Sequence, residues 1–176
     1  MKKLFLTALI AGLSASVSFA GDGKTFKQSK EVEVVESCRF RDFEVQIDGF
    51  YTGFFGGKGT YFSTGSGGGF GVNVFFARYF GIGYEAAWYD NNNQAQHLPL
   101  AGNFFVRYPI CSLNLAPYAL VGGGGTWNSH GTGYGNVGGG VEYRFTDNVG
   151  IFVDGRYFYG GTGNVANLRS GLRISF

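Results

Sequence analysis

From residue 42 onward the chain repeats one device: segments of roughly ten residues in which apolar and polar residues alternate with period two. In residues 167–176, Leu168, Leu172, Ile174 and Phe176 share one face with Ser170, and Asn167, Arg169, Gly171, Arg173 and Ser175 share the other. Val149, Ile151, Val153, Tyr157 and Tyr159 oppose Asp154 and Arg156; Val137, Val141, Tyr143 and Phe145 oppose Asn136, Glu142 and Arg144. The same reading holds for residues 43–55, 70–78, 80–89 and 98–108, and least regularly for 115–126. A side chain on a strand points to alternate faces, so each segment predicts a strand with one apolar and one polar face.

Eight such segments follow one another without a helical pattern. Their length suits a tilted strand that crosses a bilayer. Short connections are predicted near 79, at 109–113 and at 146–148, and longer Gly/Asn/Ser-rich ones at 56–67, 90–97, 127–133 and 160–166. Thr146-Asp147-Asn148 has the chemistry of a tight turn. Composition agrees: 32 Gly and 32 aromatic residues fill over a third of the 176-residue chain, and only 15% of residues are charged. Such a chain is neither a disordered polymer nor a helix bundle. The predicted fold is all-β: an eight-stranded antiparallel up-and-down transmembrane β-barrel with a short N-terminal periplasmic segment.

Lys2 and Lys3, the apolar run 4–13 and the small residues Ser18 and Ala20 form a secretory signal, with cleavage expected after Ala20. The expected organisation is a signal peptide at 1–20, a periplasmic extension at 21–41 and the barrel at 42–176. Without Lys2 and Lys3 the chain carries 12 basic and 12 acidic residues, and no clustered Lys/Arg face that would bind nucleic acid. After residue 20 no apolar run approaches the length of a membrane helix, so a mature chain that enters a membrane does so as a closed barrel.

The chain resembles the small eight-stranded outer-membrane barrels of the OmpA/OmpX-like type. The signal, the ordered alternation and the ending Leu172-x-Ile174-x-Phe176 carry the resemblance, which covers about residues 42–176. It implies an integral protein of the bacterial outer membrane, surrounded by lipid. It also implies that Leu172, Ile174 and Phe176 form a signal read by the barrel-assembly machinery.

Strand parity places Glu44, Asp48, Glu85, Glu142 and Asp154 in the lumen with Arg107, Arg144, Arg156, Arg169 and Arg173. Equal numbers of opposite charges suggest a mutually neutralising network, since an unpaired buried charge is costly. A charged ion path is the alternative. Phe50, Phe54, Phe75, Phe105, Phe152 and Phe158 also point inward by parity, in a barrel just wide enough for its own side chains. Inward Gly at 69, 71, 83 and 150 is expected to make room for these rings, and outward Gly near 122 and 139 to permit close packing of neighbours. Trp88, Tyr89, Tyr118, Tyr143, Tyr157 and Tyr159 are predicted to form interfacial girdles.

The Gly runs at 67–69 and 122–125 lack the Lys-Ser/Thr and the strand-to-helix switch of a phosphate loop. The two histidines, His97 and His130, are expected in outer loops, with Asp90 and Ser129 nearby. No nucleophile elbow accompanies them, and no ligand spacing marks a metal site. Trp127 and Tyr134 are the weak candidates for a sugar-binding platform. The functional expectation is therefore a non-enzymatic barrel with a filled lumen and no cofactor, serving envelope structure or surface interaction. A narrow channel or carrier for small apolar molecules is the alternative, and a lipid hydrolase the remote one.

Cys38 and Cys111 are the only cysteines, and the envelope permits disulfides. Both fall on the periplasmic side, nearly opposite one another across a mouth about 16 Å wide. The six residues from Cys38 to Glu44 can extend about 20 Å. The N-terminal segment can therefore cross the mouth, pair the two cysteines and cover the barrel end.

Overall fold

The structure, a computed structural model, describes residues 38–56, 64–91, 94–125, 133–160 and 164–176. Eight strands follow in chain order: β1 Glu44–Gly56, β2 Gly65–Ala77, β3 Phe80–Asn91, β4 Gln94–Arg107, β5 Leu115–Gly125, β6 Gly133–Arg144, β7 Val149–Gly160 and β8 Val165–Ser175. Each pairs antiparallel with its neighbours, and β8 closes on β1. Residue partners traced once around the wall from Gln46 return to β1 at Gly56. That stagger tilts the strands by about 40° and leaves a bore that side chains fill.

The alternation sets which face is which. On β7, Val149, Ile151, Val153, Tyr157 and Tyr159 are exposed while Phe152, Asp154, Arg156 and Phe158 are buried. Charged and amide side chains lie inside, and the outer wall is apolar: Ile47, Tyr51, Phe70, Ile82, Phe104, Val121, Leu168 and Leu172 are all exposed. This inversion of a water-soluble protein is what a strand between lipid and lumen requires.

Both described chain ends lie at the same end of the barrel as the short turns. Arg78-Tyr79 joins β2 to β3, residues 145–148 join β6 to β7, and a 3₁₀ turn at Cys111–Leu113 precedes β5. Asn114 closes that turn in the left-handed conformation (φ 53°), which Asn tolerates, and its carbonyl accepts the Arg144 N–H at 2.9 Å.

The strands depart furthest from the sequence reading at β3 and β4. A longer loop was expected at 90–97, but β3 runs to Asn91 and β4 begins at Gln94. Asp90 pairs with Ala95 and Trp88 with His97, so His97 belongs to a strand and not to a loop tip. The polar run Asn91-Asn92-Asn93-Gln94 reads as loop composition, yet hairpin pairing extends both strands up to it. The signal peptide, residues 21–37 of the extension, Lys58, Trp127, Ser129 and His130 lie outside the described residues, as do the side chains of Tyr89, Asp90 and His97.

Candidate functional site

Among the described residues, the lumen is where the fold gathers chemistry, and the inward parity of each strand builds it. Near the short-turn end, Glu44 accepts from Arg107 at 3.0 Å and from both terminal nitrogens of Arg144, and Gln46 also donates to it. Glu142 accepts from Arg144 Nε and from Arg173 Nη1, each at 2.7 Å. Arg173 grips Asp48 with two parallel bonds of 2.7 and 2.6 Å, and Asn73 donates to the same carboxylate at 2.8 Å. Three acids thus meet three arginines. Bidentate, charge-assisted geometry of this kind offsets the desolvation of buried ions.

A second layer lies towards the longer connections. Asp154 accepts from Arg169 at 2.9 and 2.6 Å, from Arg156 at 3.1 Å and from the Tyr118 hydroxyl at 2.8 Å. Glu85 accepts from Arg156 at 2.6 Å and from Arg169 at 2.8 Å. Two acids meet two arginines, so this layer is neutral as well. All ten lumen charges expected from parity are therefore placed in these two layers.

Aromatic rings occupy the space between the ions. The Arg107 guanidinium sits 3.7 Å from the Phe75 ring centroid, Arg169 4.4 Å from Phe50 and Arg173 4.7 Å from Phe152. Each is a cation–π contact in a desolvated setting. The rings need room, and glycine on the next strand supplies it. A Cβ on Gly69 would meet the Phe50 ring at 2.6 Å, one on Gly81 the Phe75 ring at 2.8 Å, and one on Gly83 the Phe105 ring at 2.8 Å. Gly171 plays the same part beneath Phe152, at 2.9 Å. At Gly71 the nearest side chains are instead Glu85 and Asp48, and at Gly150 it is Arg144.

The short-turn mouth is closed from below. Cys38 and Cys111 are disulfide-bonded, with Cα atoms 4.8 Å apart. The bond anchors the segment before β1 across the opening. Phe40 is fully buried, with Arg144 4.4 Å and Arg107 5.3 Å from its ring centroid. Arg39 donates to the carbonyls of Arg144 and Phe145, and Arg144 donates back to the Arg39 carbonyl at 2.6 Å. The last strand closes here too. Phe176 exchanges backbone hydrogen bonds with Val45 (2.8 and 3.3 Å), and its ring, like Leu172 and Ile174, faces outward.

Besides His97, three residues lie elsewhere than the sequence reading put them. Tyr118 was assigned to an outer girdle, but its pairing with Arg107 turns it inward with Ala116 and Leu120. Tyr134 is buried against Phe158 (centroids 5.6 Å apart) and offers no exposed platform. Gly122 lies on the lumen face, beside the Asn103 amide, and not on the outside. Trp88, Tyr143, Tyr157 and Tyr159 do face outward. Phe40 was missed: it precedes the first alternating segment, and only its place two residues after Cys38 marks it as part of the crossing.

No protein-family model matches the chain, and no curated protein does. Solved structures match in shape. The N-terminal β-barrel domain of Pseudomonas aeruginosa OprF superposes with a TM-score of 0.60 at 18% identity, over 76% of this chain and 97% of that one. Neisserial surface protein A gives 0.57 at 14% identity, over 77% and 98%. The outer membrane protein OprG from Pseudomonas aeruginosa gives 0.51 at 12% identity, over 80% and 99%. At such identities the likeness concerns fold alone: this chain has the closed eight-stranded architecture of the small outer-membrane β-barrels.

Proposed function

We propose that the protein is a non-enzymatic, integral outer-membrane barrel that serves envelope structure or surface interaction and carries no continuous path through its lumen. The observation that carries this reading is the double seal. Two neutral ion-pair layers fill the bore, and Phe40, tied down by Cys38–Cys111, blocks the short-turn mouth. A continuous ion path would need an open, water-filled bore. Here each lumen carboxylate has an arginine partner. Lipid contacts the apolar outer wall, and Leu172, Ile174 and Phe176 present the strand end that assembly machinery would read during insertion. Export through the signal at 1–20 brings the chain to that machinery, and the disulfide fits an oxidising compartment.

The test is fractionation with and without boiling. A barrel of this kind is expected in outer membranes and to migrate differently on gels before and after heating. Recovery in a soluble fraction with no heat-dependent shift would overturn the proposal.

A further inference from the structure

The outer wall is hollowed where β4 meets β5, at the short-turn end. Tyr79, Val106, Tyr108, Pro117 and Ala119 line a hollow of about 330 Å³. Arg107 and Tyr118 also line it, but their side chains are committed to Glu44 and Asp154 in the lumen. Val106 pairs with Ala119, and the Tyr108 N–H donates to the Pro117 carbonyl, so two short side chains face two larger ones across the seam. The depression continues sideways. Ala119 pairs with Gly139 and Gly139 with Gly155, all on the outward face, between Val121 and Val137 on one side and Pro117 and Val141 on the other. The stagger of the barrel makes each step to the next strand climb away from the short turns: partners traced from Gln46, near the start of β1, end at Gly56, its last residue. The trough therefore leaves the hollow and rises towards the middle of the wall.

Positive charge stands at the foot of this trough. Arg78 precedes Tyr79 in the turn, and its carbonyl accepts from Arg107 Nε at 2.8 Å; the carbonyl of Arg41 accepts from Arg107 Nη2 at 3.4 Å. Both arginines are thereby held beside the hollow. The Arg78 side chain pairs with Asp42 at 3.0 Å, an exposed carboxylate and so a weak partner. Arg41 has no acidic partner among the described residues. Tyr79 and Tyr108 are exposed, with the amphipathic rings that suit a membrane–water boundary. An apolar groove that climbs into hydrocarbon, with arginines and tyrosines at its lower end, matches a molecule with a long apolar tail and an anionic head. We infer that the β4–β5 seam binds one anionic phospholipid of the inner leaflet. An acyl chain fills the hollow and follows the trough over Ala119 and Gly139, and Arg78 and Arg41 hold the phosphate. Guanidinium suits that role, because its fork of N–H donors matches phosphate oxygens.

This inference rests on the outer-membrane reading, and the experiment keeps the two apart. The mature, oxidised protein is purified in detergent and its heat-dependent gel shift is recorded. Native mass spectrometry then follows its binding of dipalmitoyl phosphatidylglycerol, with dipalmitoylglycerol and inorganic phosphate as probes of each part alone. The expected result is one phosphatidylglycerol held per chain and weak binding of either part. Arg41→Gln combined with Arg78→Gln should weaken binding about tenfold, the size of a lost charge-assisted hydrogen bond. Ala119→Phe should fill the hollow and weaken it at least as much. Ile47→Phe, on the outward face of β1, should bind like the unmodified protein. Equal retention by all variants would mean an unspecific lipid coat. Either that result or no retained lipid would overturn the inference, while an intact heat shift leaves the barrel standing. Inorganic phosphate bound as tightly as the lipid would overturn it as well. A protein recovered soluble, with no heat shift, would overturn both.

Discussion

The guanidinium of Arg144 lies over the ring of Phe40, 4.4 Å from its centroid, while the same side chain holds Glu44 and Glu142. The stopper beneath the barrel and the ion-pair layer inside it therefore share one residue. Removing the ring should loosen both. Phe40→Ala is expected to lower stability by about 3–5 kcal/mol, the usual loss for a buried Phe truncation. Denaturant unfolding in detergent reads this directly; a variant as stable as wild type would mean that Phe40 does not pack as described.

The disulfide closes a span of 73 residues. In the chain-entropy model such a closure stabilises by about 4 kcal/mol. Cys38→Ser is expected to reduce stability by up to that amount, and the unmodified, unreduced protein should label with no thiol reagent. Two reactive thiols per chain would remove the anchor from this description.

Asp48 and Arg173 provide the sharpest test of the charge layers. Breaking the pair through Arg173→Met should cost about 3–5 kcal/mol, because Asp48 is left buried and charged. Arg173→Met combined with Asp48→Leu should recover most of that loss, since replacing both ions avoids the uncompensated charge. Arg156→Glu should behave like the single variant, setting three carboxylates together with Glu85 and Asp154. A stable Arg156→Glu protein with altered ion selectivity would indicate a wet, open bore.

Much of this arrangement was legible in the sequence, because period two is imposed by the strand itself. Once strands were recognised, parity put Glu44, Arg144, Asp154 and Arg169 inside without knowledge of their partners. What parity does not give is height. Which acid meets which arginine depends on the stagger between strands, and nothing local encodes that Arg173 reaches Asp48, 125 residues away. Tyr118 shows the opposite limit. Its neighbours Ala116, Leu120 and Val121 are all apolar, so composition could not say which face was the lumen until pairing with Arg107 fixed it. Phe40 belongs to no strand, so no period could mark it.

The glycines separate space from backbone freedom. Gly81→Ala drives a methyl group into the Phe75 ring and is expected to cost about 1–3 kcal/mol, as overpacking does. Gly49→Ala, on the outer face with nothing within 4 Å, should lie within about 0.5 kcal/mol of wild type. Parallel unfolding curves for the two variants check this, and equal losses would contradict the ring-over-glycine packing.

Deletion of Phe176 removes one outward ring and the backbone pair with Val45. Ring burial against lipid accounts for roughly 1.5–3 kcal/mol. If the residue is also an assembly signal, the amount of inserted protein should fall further than refolded stability does. Normal outer-membrane levels of the deletion variant would limit Phe176 to its packing.

The central claim, a barrel whose bore is filled and stoppered, is tested most directly by conductance of the purified, oxidised protein across a planar lipid bilayer. Inserted protein is expected to produce no discrete openings. Stable unitary openings from the unmodified chain would contradict the proposal that the two neutral ion-pair layers and the buried Phe40 close the bore.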